Sequence, residues 1–84
     1  MHSPYVIHWA PDAEGLFNGV LADLPTKAVP FVRQAGAAAI VSTTRLRRSS
    51  EVTVDDVLKG LVLGAPARFL PDVRAALAKR GLRA

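Results

Sequence analysis

Eighty-four residues fit one small domain, which buries roughly 60% of the surface its unfolded chain exposes. Half of the residues are hydrophobic, 21% are charged and none is cysteine. This is a globular composition without disulfides, thiolate zinc sites, cysteine-held iron–sulfur clusters or cysteine nucleophiles. The net charge of +4 is segregated. Acids Asp12, Glu14 and Asp23 occupy residues 1–24 without a Lys or Arg, and Lys27, Arg33, Arg45, Arg47 and Arg48 occupy residues 25–50 without an acid. Glu51, Asp55 and Asp56 follow, and the tail is basic again. Such blocks suit helices that meet across complementary faces, or an acidic partner. No segment reaches the ~18 apolar residues of a membrane span, and the start lacks the pattern of a signal peptide. The expected location is cytoplasmic, with any membrane contact peripheral, on the cytoplasmic face of a membrane complex and made through a partner.

Residues 1–10 read as an extended arm in which aromatic and apolar residues precede Pro11. The spacing of Ala13, Leu16, Phe17, Val20, Leu21 and Leu24 predicts a helix over 11–24 with one apolar stripe. Pro11 suits its first turn, and Asp12 and Glu14 complement the dipole there. Gly15 and Gly19 each weaken it by roughly 1 kcal/mol relative to alanine. They form either a small face for a neighbouring backbone or two tolerated surface positions. Pro25 ends this helix and Pro30 opens the next, which runs to about Arg48 with Phe31, Val32, Ala35, Ala38, Ala39 and Leu46 as its apolar pattern and Phe31 in the core.

Arg45, Arg47 and Arg48 fall in the last turn of that second helix, where cations complement exposed carbonyls. Thr53 reads as the N-cap of a third helix. Asp56 completes a capping box and Asp55 adds a second anion to the same turn. Val54, Val57, Leu58, Leu61 and Val62 form its stripe, and Gly64 and Pro66 stop it. Phe69 and Leu70 are expected anchors. Pro71 opens a last short helix with Asp72 in its first turn, Val73, Ala76 and Leu77 inward, Lys79 and Arg80 near its end and Gly81 beyond it. The expected fold is all-α: a bundle of three to four short helices with an extended arm (1–10), a core (11–63) and a C-terminal helical extension (64–84). No strand and no internal repeat is expected.

Residues able to carry chemistry are sparse. His2 and His8 could serve as a ligand pair for a metal or tetrapyrrole, but no acidic or sulfur ligand stands at the required spacing. The expectation is a frayed His2 and a surface His8, with no metal site. Trp9 is expected as a packing anchor for the first helix. No serine sits in a nucleophile turn, and Asp55 and Asp56 point about 100° apart on a helix, so they do not face each other as an acid/base pair. There is no phosphate-binding glycine loop. No catalytic residue is assigned, and the isolated chain is expected to bind no cofactor.

Three short stretches carry a family resemblance. Trp9, Ala13 and Glu14 in WAPDAE, Val29 to Arg33 in VPFVR, and Thr53, Asp56 and Val57 in VTVDDV resemble the small helical domain at the C-terminus of the B subunit of light-independent protochlorophyllide reductase, a domain that also occurs free-standing. The similarity spans roughly residues 7–61. This chain has one aromatic after Pro30 where the family has two, Val41 near the place of a family glutamate, a longer link from Trp9 to Pro30, and no family counterpart after Leu63. The resemblance implies an accessory role near a tetrapyrrole site rather than catalysis, with Trp9, Phe31 and Arg33 as family-defining positions.

The function expected from these readings is a non-catalytic accessory or structural subunit docking on a larger protein complex in (bacterio)chlorophyll biosynthesis or photosynthesis. Trp9, Arg33, Arg45, Arg47 and Arg48 are the candidate partner-binding residues, and His8 is the candidate tetrapyrrole contact within such a complex. Arg33 is expected to pair with Glu14 or Asp56, or to face the partner. The alternative is a small nucleic-acid-binding protein, because residues 45–61 resemble the basic loop and last helix of a histone fold. The prolines that interrupt the required long central helix count against it.

Overall fold

A computed structural model describes residues 6–82 of the chain. Four α-helices carry the fold: α1 (Pro11–Ala22), α2 (Val29–Leu46), α3 (Val54–Gly64) and α4 (Leu70–Lys79). This is the small helical bundle that the periodicity predicts. His2 and the remainder of residues 1–5, with Arg83 and Ala84, lie outside the described residues.

The expectation of no strand is corrected by two short ones, β1 (His8–Trp9) and β2 (Glu51–Val52). They run parallel, with His8 opposite Glu51 and Trp9 opposite Val52. His8 N–H donates to the Ser50 carbonyl at 2.8 Å and Ala10 N–H to the Val52 carbonyl at 3.1 Å. An extended arm laid against a globule needs partners for its backbone polar groups, and the extended link between α2 and α3 supplies them. Trp9 then packs on Phe17 of α1, ring centroids 5.3 Å apart.

A local repeat, absent from the sequence reading, organises the bundle. Pro25, Pro30, Val32 and Arg33 recur at the same spacing as Pro66, Pro71, Val73 and Arg74. Pro25 and Pro66 have nearly the same extended backbone (φ −55°, ψ 140° and φ −54°, ψ 139°). Each caps a single 3₁₀ turn, Thr26–Ala28 and Ala67–Phe69, that feeds directly into α2 and α4. Val32 and Val73 are both fully buried. The fixed φ of proline presets each elbow, and the second proline falls in the first helical turn, where its missing N–H costs nothing. The chain is thus two units of strand, helix, elbow and helix. Pro30 starts α2 rather than interrupting it, so the proline objection to a long central helix does not hold: α2 runs unbroken for 18 residues.

The elbows also explain Phe31. Expected in the core, it is 50% exposed. It stacks on Phe69 of the other elbow at 6.0 Å, with the Arg68 guanidinium 5.1 Å from the Phe31 centroid and 4.7 Å from that of Phe69. Phe69 is the buried member of this trio. Arg68 covers both rings, a cation–π arrangement worth roughly 0.5–2 kcal/mol.

Helices α2 and α3 form an antiparallel hairpin whose close approach depends on glycine. The buried line on α2 is Val32, Gly36, Ile40 and Thr44, one residue every fourth position. A Cβ at Gly60 of α3 would lie 2.5 Å from Ile40 Cα and 2.7 Å from its nitrogen; one at Gly64 would meet the Ala35 carbonyl at 2.8 Å. The small face sought at Gly15 and Gly19 is therefore on α3. Gly15 has nothing nearby, and Gly19 seats the Arg80 side chain instead. Leu46, expected in the α2 stripe, is 84% exposed, because the buried line passes through Gly36 and Thr44 and turns Leu46 outward. Ala13, Phe17, Val20 and Leu21 of α1, Val57 and Leu61 of α3, and Val73, Ala76 and Leu77 of α4 complete one core. Each fully buried large apolar side chain contributes about 1.5–3 kcal/mol.

The charge blocks meet as expected: Asp23, at the end of α1, pairs with Arg80 and, at 3.6 Å, with Lys79 of α4. Gly60→Ala should destabilise the fold by about 3 kcal/mol, since backbone rather than a flexible side chain blocks the new methyl, whereas Gly15→Ala should stabilise it by up to about 1 kcal/mol. Urea unfolding of the two variants checks both signs.

Candidate functional site

The stretch from Arg45 to Leu58 holds the densest chemistry in the chain. Helix α2 ends at Leu46, and its last carbonyls are closed by a Schellman pair in which Ser49 N–H donates to the Thr44 carbonyl at 3.2 Å and Arg48 N–H to that of Arg45 at 2.9 Å. Helix α4 ends the same way, with Leu82 N–H on the Leu77 carbonyl and Gly81 N–H on that of Ala78. The left-handed position is Gly81 (φ 74°) in α4 but Arg48 (φ 59°) in α2. An arginine there bears a steric cost that glycine avoids. Of the three arginines expected in the last turn of α2, only Arg45 is in it; Arg47 is the cap and Arg48 lies beyond.

Asp56, 1% exposed, is the hub of this turn. Its Oδ1 accepts from Arg47 Nε at 3.1 Å, and its Oδ2 from Arg47 Nη2 at 2.6 Å, from the Thr44 hydroxyl at 3.0 Å and from Thr53 N–H at 3.0 Å. Thr53 Oγ1 accepts in return from Asp56 N–H at 3.3 Å, which completes the expected capping box. Arg47 also donates to the Glu51 carbonyl at 3.0 Å. The Arg47 guanidinium, followed by the Thr53 and Thr44 bonds, holds the Asp56 carboxyl well below the usual aspartate range against the opposing effect of burial, and the same contact raises Arg47. The Thr44 and Asp56 side chains, buried together, are thus committed to binding the end of α2 to the start of α3.

This settles where the sequence-derived residues lie. The β1–β2 pairing brings exposed His8 and half-buried Trp9 to the same end of the molecule as Arg45, Arg47 and Arg48. Arg33 stands apart, near the start of α2 and roughly 20 Å of helix away. The expected pairing of Arg33 with Glu14 or Asp56 is corrected. Arg47 occupies Asp56, and Arg33 is exposed, with no ion pair or hydrogen bond to any described residue. It borders a shallow cleft with Asn18, Leu21 and Thr26. Arg74, its counterpart in the second elbow, is likewise exposed and without such a partner. Among the described residues no three His, Asp or Glu side chains are placed to hold a metal ion.

A surface that the sequence reading did not single out lies along the outside of the α2–α3 hairpin. Thr43 and Leu46 of α2 and Asp55, Leu58, Lys59, Val62 and Leu63 of α3 border one groove of about 500 Å³. Leu46 is 84% and Leu63 79% exposed. The groove adjoins a second hollow bordered by Ala37, Ala38, Val41, Ser42 and Arg45, with Leu46 common to both. Residues 34–44 contain no charged side chain, so the exposed middle of α2 extends this apolar surface. The uncharged run was a sequence signal, and its meaning depends on which face of α2 is buried.

Comparison with protein families, curated proteins and solved structures gives no match to this chain.

Asp56→Ala should cost about 3 kcal/mol at neutral pH, the lower end of the range for breaking a buried pair, because half-exposed Arg47 returns to water. The depressed carboxyl also fixes a pH dependence. Above about pH 3.9, the ordinary aspartate value, the Asp56 contribution is complete; as pH falls toward its folded value the unfolded chain binds the proton first and stability is lost. The acid limb of the stability curve should therefore be shallower in Asp56→Ala than in the wild type. Arg48→Gly should raise stability by roughly 0.5–1 kcal/mol, read as an upward shift in the urea midpoint.

Proposed function

We propose that this chain is a non-catalytic interaction module, an accessory or structural subunit that docks on other protein through the outer face of the α2–α3 hairpin. The observation that carries this reading is the pair Leu46 and Leu63, both mostly in water on the rim of one apolar groove. Contiguous apolar surface of this kind marks interaction sites on small proteins. The polar groups support the same reading, since the buried Thr44 and Asp56 are committed to structure. The resemblance of the WAPDAE, VPFVR and VTVDDV stretches to a reductase accessory domain favours a place beside a larger enzyme complex.

The nucleic-acid alternative has less support. Phosphate affinity grows with the number of cations presented together. Arg47 is committed to Asp56, while Arg33 and Arg74 lie near the starts of α2 and α4 and outside the cluster at the end of α2.

Purification of the tagged protein from its source cells, in parallel with a Leu46→Ser/Leu63→Ser variant, tests the reading. A defined set of proteins should stay on the wild type through moderate salt and be lost from the variant. Co-purifying nucleic acid that leaves steeply with salt, or the same proteins on both forms, would contradict it.

A further inference from the structure

The groove's occupant can be read from its rim, and this step rests on the interaction-module reading above. We propose that the groove is self-complementary and, where no other protein fills it, takes the same α2–α3 face of a second copy of this chain, giving a two-fold four-helix bundle.

The charges on the rim carry the inference. Apart from Arg45, which lines the adjoining hollow, the charged residues flanking the apolar band are Asp55 and Lys59, one turn apart on α3 and bonded to each other at 3.0 Å. Their side chains are 67% and 62% exposed, so both remain open to a partner. A two-fold axis perpendicular to α3 sets two copies of α3 antiparallel. In that arrangement Asp55 of each copy lies across from Lys59 of the other, and both rim charges gain an opposite neighbour. A partner face of uniform sign would satisfy one of them and repel the other. An isologous interface is self-complementary in this way.

The shape agrees. The groove runs between two antiparallel helices, and its apolar contacts come from both: Leu46 from α2, and Leu58, Val62 and Leu63 from α3. Two such hairpins packed face to face make the standard arrangement of a four-helix bundle. On α2 the seam is bordered by the hollow of Ala37, Ala38, Val41 and Ser42, with Arg45 as its charged residue. Every residue in this interface lies on a helix already fixed by the core, and little ordering is needed on association.

Sedimentation velocity on the purified chain over a concentration series tests the proposal. The wild type should show a reversible monomer–dimer equilibrium, and Leu46→Ser/Leu63→Ser should stay monomeric with unchanged helical circular dichroism. Asp55→Lys and Lys59→Asp should each weaken self-association by roughly tenfold or more, because like charges then oppose each other twice. An equimolar mixture of these two variants should restore the dimer, since one copy then presents two lysines and the other two aspartates. A wild type that is monomeric at every concentration overturns the second-copy proposal. So does a dimer that none of the substitutions weakens, or a mixture that fails to re-associate. Groove-dependent retention of other proteins by a strictly monomeric chain would sink this inference while leaving the interaction-module reading in place.

Discussion

Everything in this small fold hangs on one buried carboxylate. Asp56 accepts four hydrogen bonds from groups on both sides of the α2–α3 connection. A buried anion without such partners would cost several kcal/mol; with them, it fixes the angle and register at which α3 leaves α2. That register brings Gly60 against Ile40 and Gly64 against Ala35. It also turns the intervening link into an extended segment that can receive the N-terminal arm as a parallel strand. The close helix pair, the strand pairing and the seat of Trp9 on Phe17 all follow from the turn closed by Asp56.

The second organising feature is the duplicated elbow. Two proline-primed 3₁₀ turns send α1 into α2 and α3 into α4, and the Phe31–Arg68–Phe69 stack joins them. The Asp23–Arg80 pair fastens the ends of α1 and α4, so the last helix shares the core of the first three. A chain of this size has little apolar volume to spare. It compensates with local devices: the capping box at Thr53, two Schellman turns and glycine-mediated contact.

Much of this was legible in the sequence because it is local. The stripe of α1, the cap at Thr53, the burial of Val57 and Leu61 on α3 and the inward face of α4 follow from spacing and from the chemistry of helix ends, whereas Leu58 and Val62 of the same α3 stripe border the outer groove. What escaped was set by tertiary contact. The buried line of α2 runs through Gly36 and Thr44, which hydrophobicity does not mark, so spacing alone puts Phe31 in the core and Leu46 in the apolar stripe although both are exposed. The strand pair joins residues more than forty positions apart, and neither strand is long enough to show a period. The arginine cluster carried two meanings that spacing cannot separate: Arg47 is a structural donor, while Arg48 closes a helix in a conformation better suited to glycine. The groove was hidden for the same reason as the core of α2, since an apolar residue signals a partner only once its face is known to be outside.

The functional reading draws on this division of labour. Polar groups inside the molecule are spent on the α2–α3 turn, and the apolar surface left outside lies on the very hairpin that the turn holds rigid. A double-mutant cycle between Arg47→Met and Asp56→Asn, read by urea unfolding, tests the central claim most directly. If Asp56 is the hub, the two losses are strongly non-additive, and the double variant is far more stable than the sum of the single losses allows. Additive losses would contradict the account, for they would mean that the α2–α3 turn is held by something other than this pair.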